Sequence, residues 1–166
     1  MVMDLEFKKI DELDLFFLNN LRNQCAAEYL HDNRTFTDYE TIVWFNKTKP
    51  NYYIILYKSK KIGYFRINSH SSINQNLYLG ADLLPEYRGK GLAKKSYQLF
   101  IPILFKKYDL HKINLEVLST NFNALQLYKS LGFKEDGIKR QEVLKGDKWV
   151  DSIMMSLLKE EYENWD

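Results

Sequence analysis

Three stretches of this chain combine reactive residue types with a spacing that chemistry can use. The first is Leu83-Leu84-Pro85-Glu86-Tyr87-Arg88-Gly89-Lys90-Gly91-Leu92-Ala93, which joins a strand pattern to a helix pattern through two glycines and two cations. Such a turn aims unpaired backbone amides and the positive end of a helix dipole at one point, which suits a phosphate. Glycine lets the backbone approach an anion closely, and Arg88, Lys90 and Lys94 add charge. The turn is not a P-loop, because no Gly-Lys-Ser/Thr closes it. Nor is it the dinucleotide fingerprint, because Lys94 stands where the third glycine belongs. By itself it is either a ligand site or a tight connection.

The second stretch is Ile113-Asn114-Leu115-Glu116-Val117-Leu118, a strand pattern that should be central, with one acid in it. Burying an unpaired acid favours its protonated form and so strengthens it as a base. Two readings stay open for Glu116: that base, or a glutamate held by a structural cation such as Arg66. The third stretch runs from Asn121 to Phe133, a short helix with Asn121 as its cap and Gly132 as its stop. Tyr128 is either a core tyrosine on its apolar face or a proton donor.

The run Arg88-Gly89-Lys90-Gly91-Leu92-Ala93 resembles the R-x-x-G-x-G/A signature of the GNAT acyltransferases. Asn121, Ala124, Tyr128, Gly132 and Phe133 match that family's N-x-x-A-x-x-x-Y-x-x-x-G-F pattern, one strand later, in the family's order. The resemblance is strong over 77–133 and rests on element order elsewhere. It implies an acetyl-CoA-dependent N-acetyltransferase acting on a primary amine. Ala81, Asp82, Leu83, Arg88, Gly89, Lys90, Gly91, Leu92, Ala93, Lys94 and Asn121 would then line the CoA path, with a backbone amide near Leu83 facing the oxyanion. Tyr128 would be the acid that protonates the leaving thiolate. The run up to Asn121 also resembles ribosomal-protein alanine acetyltransferases, in which a glutamate at the place of Glu116 is a candidate base.

These roles answer a chemical need. A lysine-like amine has a pKa of ~10.4, so fewer than roughly one molecule in a thousand is neutral at pH 7. A base must free the nitrogen, a fixed donor must hold the oxyanion, and an acid must meet the sulfur. No metal is required, and His31, His70, His111 and Cys25 show no ligand spacing. The acceptor is expected between the first two helices and the final hairpin, where the resemblance brings in Arg22, Tyr29, His31, Arg34, Trp44, Arg140 and Asp151. The family branch it suggests contains ribosomal-protein N-terminal, spermidine and nucleotide-linked amino-sugar acetyltransferases. The charges of both signs and the aromatics among those acceptor residues favour neither a purely cationic polyamine nor a purely anionic ligand. Leu115-Glu116-Val117 followed by Asn121-Phe122 and Ala124 also resembles the amino-sugar members, so the expected acceptor is a small-molecule amine, a nucleotide-linked amino sugar ahead of a polyamine. A protein N-terminus is one alternative, and a non-catalytic acyl-CoA sensor is an alternative of another class.

Composition narrows the classes. The 166 residues are 45 % hydrophobic and 28 % charged, an ordinary globular balance, and are expected to form a single domain over 1–166. Lys+Arg number 24 against 22 Asp+Glu, a net charge of +2, so no domain-wide field draws nucleic acid or anionic membrane. One cysteine excludes an internal disulfide. Met1 to Glu6 carries early acids and no apolar signal core. The longest apolar run, Tyr52 to Tyr57, is far short of the ~20 residues that cross a bilayer. A cytoplasmic monomer or homodimer is expected.

The elements that must carry these residues follow from periodicity. Leu5–Lys9 alternates as a strand. Asp11 should cap a helix whose apolar face is Leu13, Phe16, Phe17 and Leu21. A polar segment covers 28–36, and Thr37-Asp38-Tyr39-Glu40 is a capping box for a second helix ending near Asn46. Tyr52–Tyr57 and Ile62–Ile67 should pair as a hairpin turning at Ser59-Lys60, with 68–75 as a polar connection. Leu77–Leu84 is a fourth strand, stopped by Pro85. From Gly91 a helix presents Ala93, Tyr97, Phe100, Ile101, Leu104, Phe105 and Tyr108 on one face, with a kink expected at Pro102. Strand Lys112–Leu118, helix Asn121–Leu131 and strands Ile138–Leu144 and Trp149–Leu158 complete the order βααβββαβαββ. That order predicts an α/β (α+β) fold: a mixed, largely antiparallel seven-stranded sheet with about four helices on both faces.

Overall fold

A computed structural model describes residues 4–164. The first three residues of the Met1–Glu6 segment lie outside the described residues. Seven strands, β1 (Leu5–Lys9), β2 (Asn51–Tyr57), β3 (Lys60–Ser71), β4 (Asn76–Leu83), β5 (Lys112–Leu118), β6 (Lys134–Lys145) and β7 (Lys148–Leu158), form the mixed sheet expected from the alternation of patterns. Their order in the sheet is β1-β2-β3-β4-β5-β7-β6. By internal contacts the chain divides into two compact units, Met1–Ile67 with Gly80–Leu92, and Asn68–Leu79 with Ala93–Asp166.

In the first unit β1 (Leu5–Lys9) pairs antiparallel with β2 (Asn51–Tyr57), Leu5 opposite Tyr57. β2 in turn pairs antiparallel with the first part of β3 (Lys60–Ser71). The hairpin turns at Lys58 and Ser59, one residue earlier than expected. Both have positive φ, at 49° and 62°, the handedness that matches strand twist in a two-residue turn. β3 also runs through to Ser71, so the first half of the expected connection 68–75 is strand and only 72–75 is turn.

The first helix shows the largest departure from the sequence pattern. Asp11 does cap, but it caps a single 3-10 turn, Glu12–Asp14, and α1 follows as Leu15–Ala26. Its buried face is Leu15, Leu18, Asn19, Leu21, Cys25 and Ala26, whereas Leu13 and Phe16 are exposed and Phe17 is only partly buried. Two polar residues on the inner side disguised that face. Asp14 is wholly buried, 3.0 Å from Lys8 Nζ and 2.7 Å from Lys61 Nζ. Asn19 donates to Asp38 Oδ1 at 2.8 Å. A buried polar group persists when it is paired. Around them pack Ile10, Leu30, Ile54 and Tyr64. α2 (Asp38–Thr48) begins with the expected reciprocal box: Thr37 N donates to Glu40 Oε2, and Glu40 N donates to Thr37 Oγ1.

In the second unit the N-terminal part of β4 (Asn76–Leu83) runs parallel to β5 (Lys112–Leu118), Leu77 opposite Ile113. α3 (Leu92–Tyr108) joins them and buries Tyr97, Phe100, Ile101, Leu104 and Phe105 of the stripe expected from its spacing, whose end members Ala93 and Tyr108 are only half-buried. It runs unbroken past Pro102. α4 (Phe122–Ser130) leads to β6 (Lys134–Lys145) and β7 (Lys148–Leu158), and β7 lies antiparallel between β5 and β6. β6 begins four residues before the expected start. Its register shifts between Lys139 and Val143, where Gln141 has φ 52° and its amide donates to Asp151 Oδ1 at 2.7 Å. A short α5 (Lys159–Glu163) was not anticipated, because five residues carry no helical period. Among the described residues no helix is long and apolar enough to cross a membrane.

Candidate functional site

The glycine turn belongs to the first unit. β4 ends at Leu83, and Pro85–Tyr87 forms one 3-10 turn. Gly89 and Gly91 follow at φ 69° and 75°. This left-handed backbone disfavours side chains, and a Cβ built at either glycine meets no atom within 4 Å. The glycines are therefore demanded by backbone conformation, and the space beside them is open. Lys90 and Lys94 are exposed.

Arg88 turns back instead of outward. Its Nε donates to the Leu83 carbonyl at 2.9 Å, and its guanidinium lies 3.4 Å from Cys25 Sγ and 5.1 Å from the Tyr29 ring centroid. It staples the turn to the end of β4. Burial pushes the Cys25 thiol up to about 11, so a thiolate nucleophile is not available there at neutral pH. Asp82 is buried and ion-paired with Arg66, whose guanidinium crosses Gly80 so closely that a Cβ there would meet it at 2.8 Å. Ala81 and Leu83 flank it, and Gly63 lets the neighbouring strand approach: a Cβ at 63 would stand 2.3 Å from the Asp82 carbonyl oxygen.

The second unit carries Tyr128. Asn121 N donates to the Leu118 carbonyl at 2.9 Å, and its Oδ1 accepts from Ala124 N at 3.2 Å, so one residue ends β5 and starts α4. Gly132, at φ 83°, ends the helix, and Phe133 N donates to the Tyr128 carbonyl at 3.0 Å. The spaced residues of this motif thus fix both ends of a short helix with Tyr128 on its buried side. The Tyr128 ring packs 5.9 Å from Phe133 and edge-on, at 84° and 5.6 Å, to Tyr97. The two tyrosine hydroxyl oxygens are 3.2 Å apart.

Glu116 is not the deeply buried acid that its apolar neighbours suggested. Along β5, Ile113, Leu115 and Val117 are buried, while Lys112, Asn114 and Glu116 are half-buried on alternate positions. Glu116 Oε1 accepts from Lys139 Nζ at 2.7 Å, and Oε2 faces Ser152 Oγ at 3.4 Å. The hydrogen bond to Glu116 raises the Lys139 ammonium above its ordinary value.

The expected acceptor residues of the first unit have separate surroundings, with His31 half-buried. Arg22 donates to the Arg34 carbonyl, lies 3.5 Å from Asp32 and stacks over Phe36. The Arg34 side chain holds the Asp32 carboxyl down at about 2. Trp44 leans on Tyr52, which stacks on Tyr64, and Tyr29 lies under Arg88. In the second unit Asp151 holds the β6 bulge that contains Arg140.

Two partners escaped the sequence reading. Tyr97 had a signal, since a buried tyrosine hydroxyl usually finds a hydrogen-bond partner. Lys139 had none, because its register depends on the bulge. Among the described residues no cluster of His, Cys, Asp or Glu could hold a metal ion.

Comparison with known proteins gives the family and the fold. The acetyltransferase (GNAT) family profile matches residues 15–133. The chain is similar to the uncharacterized N-acetyltransferase p20 of Bacillus licheniformis, 32 % identical over 101 residues, 61 % of this chain and 57 % of that one. It is similar along its length to spermidine N(1)-acetyltransferase of Vibrio cholerae, 25 % identical over 168 residues and 96 % of each chain. A crystal structure of Vibrio cholerae spermidine N-acetyltransferase in complex with CoA and spermine superposes with a TM-score of 0.90. It is 24 % identical, with 97 % of this chain and 99 % of that one covered, a likeness of fold. The chain belongs to the acetyltransferase (GNAT) family.

Proposed function

We propose that the protein, as one catalytic domain over 1–166, transfers the acetyl group of acetyl-CoA to a primary amine of a polyamine of the spermidine class. The observation that carries the acceptor class is the match to a spermidine N(1)-acetyltransferase over 96 % of both chains. The turn fits a CoA pyrophosphate: two left-handed glycines with open space beside them, flanked by the exposed cations Lys90 and Lys94. Amides from Gly89 to Ala93 would meet the phosphate oxygens. Arg88 would hold the turn in shape, the backbone of Ala81–Leu83 would follow the thioester arm, and Asn121 would contact the pantetheine.

In the reaction the amine first loses a proton, and Glu116 is the proposed acceptor of it. The nitrogen lone pair then attacks the thioester carbonyl carbon, and the π electrons move to oxygen, which a preorganised amide near Leu83 would receive. The carbonyl re-forms as the C–S bond breaks, and the sulfur leaves with that electron pair. The Tyr128 hydroxyl proton goes to the sulfur, the new amide nitrogen gives its second proton to solvent, Tyr128 recovers one from solvent, and Glu116 releases to solvent the proton it took. The products are an acetamide and CoA thiol. Arg22, Tyr29 and Trp44 are the proposed acceptor contacts.

The test is CoA-thiol release from purified protein and acetyl-CoA against a panel of spermidine, spermine, nucleotide-linked amino sugars and a ribosomal-protein N-terminal peptide. Turnover with the polyamines supports the assignment. Turnover with an amino sugar or the peptide alone would redirect it, and acetyl-CoA binding without turnover on any amine would point to a sensor.

A further inference from the structure

We propose that Tyr97 is a positioning residue for the transfer, donating its hydroxyl proton to the Tyr128 oxygen and stabilising the negative charge left there when Tyr128 protonates sulfur. The inference rests on Tyr128 as the acid. Both rings are buried, Tyr97 at 1 % and Tyr128 at 8 % exposure, and their hydroxyl oxygens lie 3.2 Å apart.

A phenol carries one proton and two acceptor lone pairs. If Tyr128 donated to Tyr97, its proton would be turned away from the sulfur. With Tyr97 as donor, Tyr128 accepts on a lone pair and keeps its own proton for the leaving group. The distance supports a role that grows along the reaction. At 3.2 Å the contact is long for an O–H···O bond, which normally spans ~2.5–3.0 Å. A phenolate acceptor shortens such bonds to ~2.5–2.7 Å. The interaction is therefore weak in the resting enzyme and stronger as charge develops, the condition for accelerating the chemical step instead of tightening binding. The edge-on packing of the two rings and the fixed ends of α4 hold the hydroxyls in register. No atom is exchanged by Tyr97: the proton on sulfur comes from Tyr128, and Tyr97 keeps its own.

The test is a double-mutant cycle of Tyr97→Phe and Tyr128→Phe, with each rate referred to the acetyl-CoA-binding fraction from calorimetry so that a partly folded variant still yields kcat. Tyr97→Phe should lower kcat about ten- to a hundredfold, the value of one hydrogen bond to a charged group. KM and acetyl-CoA affinity should hold. In the Tyr128→Phe background the same substitution should cost nothing further, because the charge it stabilises never forms. An unchanged kcat in Tyr97→Phe overturns the inference, and so does a loss that adds in full to that of Tyr128→Phe. A Tyr128→Phe enzyme at wild-type rate overturns the acid itself and the positioning role with it.

Discussion

Replacing Glu116 by Gln keeps the length of the side chain and removes its charge and its ability to accept a proton. Its structural contribution can be bounded from its surroundings. The carboxylate is 2.7 Å from Lys139 Nζ, with side-chain exposures of 21 % and 37 %. Coulomb's law at an effective dielectric of ~20 gives roughly 6 kcal/mol for that separation. Desolvation and screening cancel most of it, and pairs this open to water contribute about 0.2–1 kcal/mol. In a protein of this size ~1 kcal/mol moves Tm by about 2–4 °C. The catalytic contribution of a general base is larger, ~10²–10⁴ in rate or roughly 3–5 kcal/mol of barrier. Glu116→Gln is therefore expected to lower kcat/KM by at least about 10² while Tm falls only a few degrees. CoA-thiol release per acetyl-CoA-binding molecule, beside thermal melts, reads both. Lys139→Met is the control, since it breaks the ion pair and leaves the carboxylate: its Tm should fall as in Glu116→Gln while most activity remains. Activity preserved in folded Glu116→Gln would refute the base. A Lys139→Met enzyme as inactive as Glu116→Gln would show that the pair matters and proton acceptance does not.

Gly91→Asp should raise the acetyl-CoA Kd by about a hundredfold or more, because a carboxylate would face the pyrophosphate and like-charge contacts cost several kcal/mol. Aspartate tolerates left-handed backbone better than most residues, so the fold should persist, and unchanged calorimetric affinity in the folded variant would remove the phosphate assignment. Gly63→Ala should lose about 1–3 kcal/mol or more in denaturant melts, since its Cβ would stand 2.3 Å from the Asp82 backbone oxygen; a neutral result would contradict that close approach. Asp32, held at about 2 by Arg34 against an ordinary value of 3.8, contributes stability that is complete above pH 3.8 and lost as pH falls through 2. Asp32→Asn should therefore be less stable than wild type at pH 7, and its Tm should fall less between pH 4 and pH 2; parallel curves would refute the pair.

The order of elements, α4 with both its ends, the capping box of α2 and the buried stripe of α3 were all legible in the sequence, because each is set by contacts within a few residues. Asn121 bonds Ala124 and Gly132 takes a left-handed φ whatever lies elsewhere. The inner face of α1 was not legible. It holds Asn19 and is entered through Asp14 in the turn before it, polar residues whose burial depends on Asp38 from the next helix and on Lys8 and Lys61 from strands. The surroundings of the two proposed catalytic groups were decided the same way. Lys139 reaches Glu116 across β7 next to a bulge that no pattern marks, and Tyr97 meets Tyr128 from a helix 31 residues away. Side chains that could react are set by type and local spacing; what charges and hydrogen-bonds them is set by register and packing, which local spacing does not encode.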